Sequence, residues 1–130
     1  MNNIFHGLGI ALVTPFKPNG EVDYEALRRL IDYQLDNGAD FFAILATTSE
    51  SPCLSAEEKE TIAHTIIDHV AGRARILKYC GGNNTAAVVD EIKHADWKGV
   101  DGILSICPYY NKPSQEGLYQ HFKAIAEVCP

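Results

Sequence analysis

Short apolar runs that alternate with longer amphipathic stretches constrain the fold of this chain more than any other feature of its sequence. The runs cover residues 9–14, 41–47, 75–80 and 102–107. Residues 41–46 are apolar at every position, a pattern typical of strands covered on both faces of a parallel sheet. The alternation therefore predicts an α/β fold of four βα units, with helices packed against a parallel sheet.

Each stretch between the runs has its own helix signals. Ser55 and Glu58 form a capping box ahead of a helix over residues 55–70. The expected start residues of the other helices are Asp23, Asn84 or Thr85, and Ser114, and Gly38 is the expected stop of the first. The positions expected to face the core are Leu27, Leu30, Ile31 and Leu35; Ile62, Ala63, Ile66, Ile67 and Val70; Val88, Val89, Ile92 and Ala95; and Leu118, Phe122, Ile125 and Ala126.

The repeat length points to one half of a larger architecture. Strand onsets roughly 25–35 residues apart are typical of (β/α)8 barrels, and a complete barrel needs about 250 residues. This chain has 130. We expect residues 1–130 to form a single domain that corresponds to about the first four βα units, and we expect the chain to stop where a fifth strand would begin.

Charge and hydropathy exclude several classes of partner. The net charge is −6, from 17 acidic and 11 basic residues, so the chain offers no broad basic surface for nucleic acid or acidic membranes. No apolar run approaches the roughly 18–20 residues of a membrane-spanning helix. The first ten residues lack a basic region and a cleavage pattern, so no secretory signal is expected and the predicted compartment is the cytoplasm.

Cysteine and histidine spacing indicates no metal site. The four cysteines lie more than twenty residues apart without a C-x-x-C pair, and the five histidines form no H-E-x-x-H motif. We expect reduced, mostly buried thiols and no metal.

Polar residues follow the apolar runs, where the carboxyl ends of parallel strands gather ligands. They include Thr47 and Thr48 after the second run, a glycine pair at 81–82 after the third, and Tyr109 and Tyr110 after the fourth. Hydroxyls and turn amides can hold a small carboxylate, and a tyrosine near a threonine can pass protons. Ordinary turn chemistry and helix capping are the alternative for the threonines, and close backbone approach is the expected role of the glycines.

A serine or lysine nucleophile within this chain is less well supported by the sequence than the polar residues after the strands. Residues 49–51 do not form a G-x-S-x-G elbow, so a serine hydrolase is not indicated. Lys78 lies within an apolar run and could act as a desolvated amine, but a side chain that reaches past the strand end is the expected role.

Three blocks of the sequence carry a family resemblance. Residues 45–51 (LATTSES), 81–85 (GGNNT) and above all 108–122 (PYYNKPSQEGLYQHF) resemble the dihydrodipicolinate synthases, and the similarity extends from residue 9 onward. The resemblance implies a (β/α)8 barrel with a small helical extension, a homo-oligomer (dimer or tetramer), and a lyase without metal or organic cofactor. Its reaction would be the condensation of pyruvate with aspartate semialdehyde on the route to lysine.

The resemblance also implies roles for individual residues. Thr47 belongs to a proton relay, Thr48 binds the pyruvate carboxylate, and Tyr110 joins the relay from across a dimer contact. A lysine feedback site would include Ser51, Asn83 and Tyr109. The Schiff-base lysine, a second tyrosine and a substrate-binding arginine would follow residue 130, so the chain by itself is expected to be inactive.

The chain departs from the family pattern at several places. Ala46 and Ser49 replace two glycines, and Ser49 would strain the turn if its backbone needed a positive φ. The bulky residues Lys78 and Tyr79 stand where the family usually has small residues. Ala87 stands where lysine-sensitive members carry a glutamate, and Lys59 where a histidine is common.

Two alternatives remain open at this point. One is another Schiff-base aldolase, such as N-acetylneuraminate lyase or a keto-deoxy sugar acid aldolase. Thr48 and the Asn111-Lys112-Pro113 continuation argue against it, because the sialic acid branch generally shows a Ser-Thr pair and a different block after its tyrosines. The other is a non-catalytic half-barrel that associates with itself through its uncovered edge strands.

Overall fold

A parallel sheet of four strands, in the order β1-β2-β3-β4, carries the fold. A computed structural model describes residues 4–130. The strands are β1 (Gly9–Ala11), β2 (Phe41–Ile44), β3 (Arg75–Tyr79) and β4 (Gly102–Leu104). The helices are α1 (Tyr24–Asp36), α2 (Ala56–Val70), α3 (Thr85–His94) and α4 (Gln115–Ala126), with 3-10 turns at Thr47–Ser49 and Ser51–Cys53. The predicted four βα units are confirmed, and every strand begins at its predicted residue. β1, β2 and β4 end three residues before the predicted run does, and β3 ends one residue before.

The strand register aligns β1 with β2 and β2 with β3. Phe42 stands opposite Ile10 on one side and Ile76 on the other, in parallel pairing. Parallel strands direct their carboxyl ends to the same edge of a sheet. The loop that follows β2 therefore begins at the ligand-binding edge of this fold class.

The chain divides into two compact units. The first runs up to Lys78 and includes Gly99–Gly102, and the second comprises Tyr79–Lys98 and Ile103–Pro130. The core of the first unit contains Leu12, Val22, Leu27, Ile31, Ala39, Phe42, Ile44, Leu45, Leu54, Ile62, Ala63, Ile66, Val70 and Ile76, and that of the second contains Cys80, Val88, Ile92 and Ile125.

In the first unit, β2 is covered on one face. Phe42 and Ile44 are fully buried in the same core as the apolar faces of α1 and α2, whereas Phe41 and Ala43 remain half-buried. The expectation that this run is covered on both faces is therefore met on one face and only in part on the other. The helices of the unit bury one set of alternating side chains, and nothing within the unit covers the other set fully.

The helix starts follow the predicted capping residues. Asp23 accepts a hydrogen bond from the Ala26 amide, and Ser55 and Glu58 form the reciprocal capping box. Asn84, rather than Thr85, caps α3, because its side chain accepts from the Ala87 amide. Local side-chain chemistry therefore fixes these boundaries.

In the second unit, α3 packs against α4, but the buried face of α4 differs from the expectation. The buried residues are His121 and Ile125, while Phe122 is 37% exposed and Ala126 is also exposed. Including Phe122 and Ala126 in the core was therefore wrong. The face that meets α3 is rotated toward His121, because this side chain finds hydrogen-bond partners in the interior.

The expectation of mostly buried thiols is also wrong. Cys80 is buried, whereas Cys53 at the end of a 3-10 turn, Cys107 after β4 and Cys129 after α4 are exposed free thiols. Within residues 4–130, no helix has the length and apolar character required to cross a membrane.

Candidate active site

The loop after β2 presents two adjacent hydroxyl side chains to solvent. β2 ends at Ile44, and the next turn, Thr47–Ser49, is a single 3-10 turn. Thr47 and Thr48 are exposed, while Ser49 is buried. The turn closes through hydrogen bonds from the Ser49 amide to the Ala46 carbonyl (3.1 Å) and from the Glu50 amide to the Thr47 carbonyl (3.0 Å). The predicted pair therefore lies at the carboxyl end of β2, with both side chains free to meet a ligand.

Two buried hydroxyls anchor this turn to the residues after β1. The Ser49 hydroxyl donates to the Leu12 carbonyl at 2.7 Å, and the Thr14 hydroxyl donates to the Ser49 carbonyl at 2.8 Å. Ser49 is 3% exposed and Thr14 is 5% exposed. The turn is therefore attached to the β1 end by a reciprocal pair of buried hydrogen bonds.

The backbone on both sides of the threonines is strained. Leu45 has φ of 57° and Glu50 has φ of 55°, in the left-handed region that side chains with a Cβ disfavour. Ser49 itself does not have a positive φ, so serine in place of glycine causes no backbone strain at this position. The serine is instead accommodated by a hydrogen bond that glycine could not make.

The same strain recurs in the loop after β4. Tyr110 has φ of 68° and Lys112 has φ of 47°. Within residues 4–130, these two and the pair around the threonines account for all but one of the non-glycine residues with positive φ, and the remaining one, Ala71, ends α2. Strain of this kind concentrates at functional sites, because only well-determined surroundings keep it in place. Two of the three blocks that carry the family resemblance, residues 45–51 and 108–122, contain these strained positions.

An asparagine pair braces the loop after β4. Asn111 Nδ2 donates to the Asn83 carbonyl at 2.9 Å, and Asn83 Nδ2 donates to Asn111 Oδ1 at 3.2 Å. Tyr110, which immediately precedes Asn111 in this loop, is 92% exposed, and Tyr109 is 55% exposed. The phenol of Tyr110 is therefore presented outward and is available to a second molecule.

Sequence reasoning missed His121. It is 2% exposed, with Nδ1 2.8 Å from Thr85 Oγ1 and Nε2 3.2 Å from the Ile106 carbonyl. The spacing already contained a signal, because His121 stands three residues after Leu118 and four before Ile125, on the apolar stripe of α4. This ring supports the backbone that leads into the Tyr109-Tyr110 loop.

The neighbouring Gly81 partly explains how the second unit accommodates the bulky side chain of Tyr79. A Cβ on Gly81 would lie 3.1 Å from the Tyr79 hydroxyl oxygen, so glycine permits the ring to fold over the following turn. Gly81 therefore allows a close approach of the Tyr79 side chain, whereas close backbone approach at the glycine pair stays a prediction. Burial raises the pKa of Tyr79, and the neighbouring Tyr109 raises it further. The phenol therefore stays neutral and can act as a hydrogen-bond donor.

The sequence-predicted residues fall in both units. Thr47, Thr48 and Ser51 belong to the first unit, in which Ser51 is 7% exposed. Asn83, Tyr109 and Tyr110 belong to the second. Among the described residues, no three histidine, cysteine, aspartate or glutamate side chains cluster closely enough to hold a metal ion.

Comparison with known proteins identifies close relatives. The profile of the dihydrodipicolinate synthetase family matches residues 4–130. The 4-hydroxy-tetrahydrodipicolinate synthase of Phocaeicola vulgatus is 57% identical over 122 residues, which cover 94% of this chain and 41% of that protein. The enzyme of the same name from Aquifex aeolicus is 48% identical and covers 95% of this chain and 42% of that protein.

Solved structures agree with the sequence relatives. Dihydrodipicolinate synthase from Thermotoga maritima superimposes with a TM-score of 0.90 at 44% identity, covering 96% of this chain and 42% of that one. The Aquifex aeolicus structure gives a TM-score of 0.85 at 48% identity, covering 95% of this chain and 42% of that one. The chain spans about two-fifths of the length of the relatives it matches, and its fold is that of the first four βα units of their (β/α)8 barrel. The match over residues 4–130, the high identity and the shared fold lead to one conclusion: the chain belongs to the dihydrodipicolinate synthetase family.

Proposed function

We propose that this chain supplies the first four βα units of a 4-hydroxy-tetrahydrodipicolinate synthase, a cytoplasmic homo-oligomeric lyase of lysine biosynthesis. The observation that carries the proposal is the pair of exposed threonines, Thr47 and Thr48, on a strained turn at the carboxyl end of β2. Sequence identity of 57% to a relative of that name supports the assignment. The Thr-Thr pair also favours it over the sialic acid branch of the Schiff-base aldolases.

In the proposed reaction, a lysine amine supplied from outside these four units attacks the ketone carbon of pyruvate and water leaves, which forms an imine. Loss of a proton from the pyruvate methyl carbon gives an enamine, whose carbon attacks the aldehyde carbon of aspartate semialdehyde while the aldehyde oxygen takes up a proton. The amino group of the semialdehyde then attacks the re-formed imine carbon, which closes the ring and releases the lysine amine. Thr48 holds the pyruvate carboxylate by donating its hydroxyl hydrogen. Thr47 passes protons between tyrosine phenols.

Tyr110 enters this scheme from a second subunit. Its phenol is 92% exposed on a loop held by the Asn83–Asn111 pair. A side chain presented so fully on a backbone with positive φ is suited to reach into a neighbouring molecule. The relay would therefore be complete only in a dimer or larger oligomer.

The test uses the chain alone and the fused enzyme, which we define as this chain followed by the remaining C-terminal part of the Phocaeicola vulgatus relative. Both are treated with labelled pyruvate and borohydride, which reduces an imine to a stable adduct. We expect an adduct and synthase turnover in the fused enzyme and neither in the chain alone. The unmodified relative serves as the positive control.

Two results would contradict this proposal. A correctly folded fused enzyme without adduct or turnover would show that these four units do not serve the reaction. An adduct on the chain alone that disappears in Lys78→Ala would instead make Lys78 the nucleophile.

A second candidate function, self-association without catalysis, is favoured by the sheet order. β1 and β4 are the edge strands of the described sheet, and open strand edges pair with other chains. Sedimentation of the chain alone should then find dimers or larger species at micromolar concentration. A monomer with protected amides on both edge strands would exclude it.

A further inference from the structure

We propose that Ser49 and Thr14 are positioning residues that hold Thr47 and Thr48 in the geometry that binds the substrate carboxylate. This inference rests on the proposed function and adds two residues to it. Neither side chain faces solvent, so neither is expected to touch substrate. They would act through the exposed pair.

The first observation is the reciprocity of the two hydrogen bonds. The Ser49 hydroxyl donates to the Leu12 carbonyl, and the Thr14 hydroxyl donates to the Ser49 carbonyl, at 2.7 and 2.8 Å. Both bonds connect positions more than thirty residues apart in the chain. Because one residue both donates and accepts, the turn cannot shift along β1 without breaking both bonds.

The anchor itself is fixed. The Leu12 amide donates to the Ala43 carbonyl of β2 at 3.0 Å, and Leu12 is 1% exposed. The Leu12 carbonyl that receives the Ser49 hydroxyl therefore belongs to a residue tied to the sheet. The turn that begins at the end of β2 returns to a point that is itself bonded to β2.

The second observation is the strain around the pair. Leu45 and Glu50, which flank the threonines, both lie in the left-handed region, and this conformation persists only where the surroundings hold it. The Ser49 and Thr14 bonds are buried, long-range contacts of the kind that can do so. Removing either hydroxyl should allow the turn to relax.

The third observation is the position of the bonds in the turn. Ser49 immediately follows Thr48, and the 3-10 turn places its side chain in the interior while those of Thr47 and Thr48 point to solvent. Hydroxyl groups bind a carboxylate more tightly when the ligand does not have to order them first. The buried serine therefore pre-orients the two exposed threonines.

The experiment compares four variants with the unaltered 130-residue chain. Ser49→Ala and Thr14→Val each remove one hydroxyl, Thr14→Ser retains it, and Thr61→Val removes a hydroxyl that bonds the Glu57 carbonyl elsewhere in the first unit. The measurements are amide hydrogen exchange at Ser49 and Glu50 and methyl order parameters of Thr47 and Thr48. If Ser49→Ala fails to fold, Ser49→Cys replaces it, because the thiol keeps the volume of the side chain and donates a hydrogen bond only weakly.

In Ser49→Ala and Thr14→Val, exchange at the two amides should rise about tenfold and both methyl order parameters should fall. Amides of α2 should keep their protection, and Thr14→Ser and Thr61→Val should match the unaltered chain at these two amides. Unchanged exchange and order parameters in both hydroxyl-removing variants would overturn the proposal.

The same substitutions in the fused enzyme distinguish positioning from a general loss of stability. We expect KM for pyruvate to rise about tenfold, with a smaller change in kcat and with full recovery in Thr14→Ser. A loosened turn with unchanged KM would overturn the positioning role. If the unaltered fused enzyme has no turnover, the proposed function fails, and the proposed binding of the substrate carboxylate fails with it. The exchange data still decide whether the Ser49 and Thr14 hydroxyls hold Thr47 and Thr48 in place.

Discussion

Oγ1 of Thr85 lies 2.8 Å from Nδ1 of His121, and the geometry of the ring determines which atom donates. Nε2 of the same ring lies 3.2 Å from the Ile106 carbonyl, which can only accept. Nε2 therefore carries the proton, and Nδ1 accepts from the Thr85 hydroxyl. One buried ring thus connects the first residue of α3, the middle of α4 and the segment after β4 that leads to Tyr109 and Tyr110.

Replacing this ring should destabilise the second unit. His121→Ala leaves the Thr85 hydroxyl and the Ile106 carbonyl without their partner and opens a cavity, and we expect a loss of about 2–3 kcal/mol in the free energy of unfolding. Tyr119→Ala is the matched control on the same helix and should cost less than about 1 kcal/mol, since this ring is 60% exposed, whereas Phe122 packs edge-to-face on His121. Urea denaturation measures both. Equal losses would contradict the assignment of the buried face of α4.

Relieving the strain at Glu50 should stabilise the chain. Glu50 is exposed and has φ of 55°, so Glu50→Gly removes a disfavoured Cβ without removing any burial. We expect a gain of about 0.5–1 kcal/mol in the free energy of unfolding. Glu50→Ala, which keeps the Cβ, should show no such gain. A loss of stability in Glu50→Gly would show that the turn does not store this strain.

The capping box of α2 should contribute a component of stability that depends on pH. The Ser55 backbone N–H, followed by the Ser55 side chain, lowers the pKa of Glu58 from its ordinary value of 4.5. A group with a lowered pKa in the folded state adds stability that is fully present above pH 4.5 and is lost as the pH falls through the folded value.

Glu58→Gln removes this component. The difference in unfolding free energy between the unaltered chain and the variant should be constant above about pH 5.5 and should shrink as the pH falls below 4.5. Denaturation series from pH 3 to about 7 measure the difference. A difference that stays constant across this range would contradict the role of the Glu58 carboxylate in the cap.

Thr47 should matter for turnover more than for binding in the fused enzyme. Thr47→Val preserves shape but removes the hydroxyl, and loss of a positioned proton-transfer group costs on the order of 10²-fold in kcat. Thr48→Val should act mainly on KM for pyruvate, because its proposed role is to hold the carboxylate. Steady-state kinetics separate the two effects, and an unchanged kcat in Thr47→Val would remove this residue from the relay.

The fused enzyme should be insensitive to lysine at millimolar concentration. Ala87 is exposed at the start of α3, where lysine-sensitive relatives are expected to carry a glutamate, and Lys59 adds a cation where a histidine is common. In the oligomer the bound ligand and a neighbouring subunit would cover this position, and loss of a charge partner that is buried in this way costs about 2–5 kcal/mol. Half-inhibition below about 1 mM, roughly −4 kcal/mol of binding, would show that Ser51, Asn83 and Tyr109 suffice for the ligand.

The local elements of this protein followed directly from its sequence. Strand onsets at Gly9, Phe41, Arg75 and Gly102 and the capping residues Asp23, Ser55 and Ser114 were predicted correctly, because apolar periodicity and capping depend on neighbours a few residues away. The same reasoning placed Thr47 and Thr48 at the carboxyl end of a strand. Their predicted roles remain predictions.

The tertiary structure decided what depends on distant partners. Ser49 is a buried donor because the Leu12 carbonyl, 37 positions earlier, accepts its hydroxyl hydrogen. His121 is interior because the Thr85 hydroxyl, 36 positions earlier, forms a hydrogen bond with its ring. Phe122 is exposed for the same reason, since rotating His121 inward turns the next side chain out. The left-handed backbone at Leu45 and Tyr110 likewise has no local signature, because neither is a glycine. Such features are set by long-range packing and hydrogen bonding, whereas the sequence by itself determined the order and type of the elements that carry them.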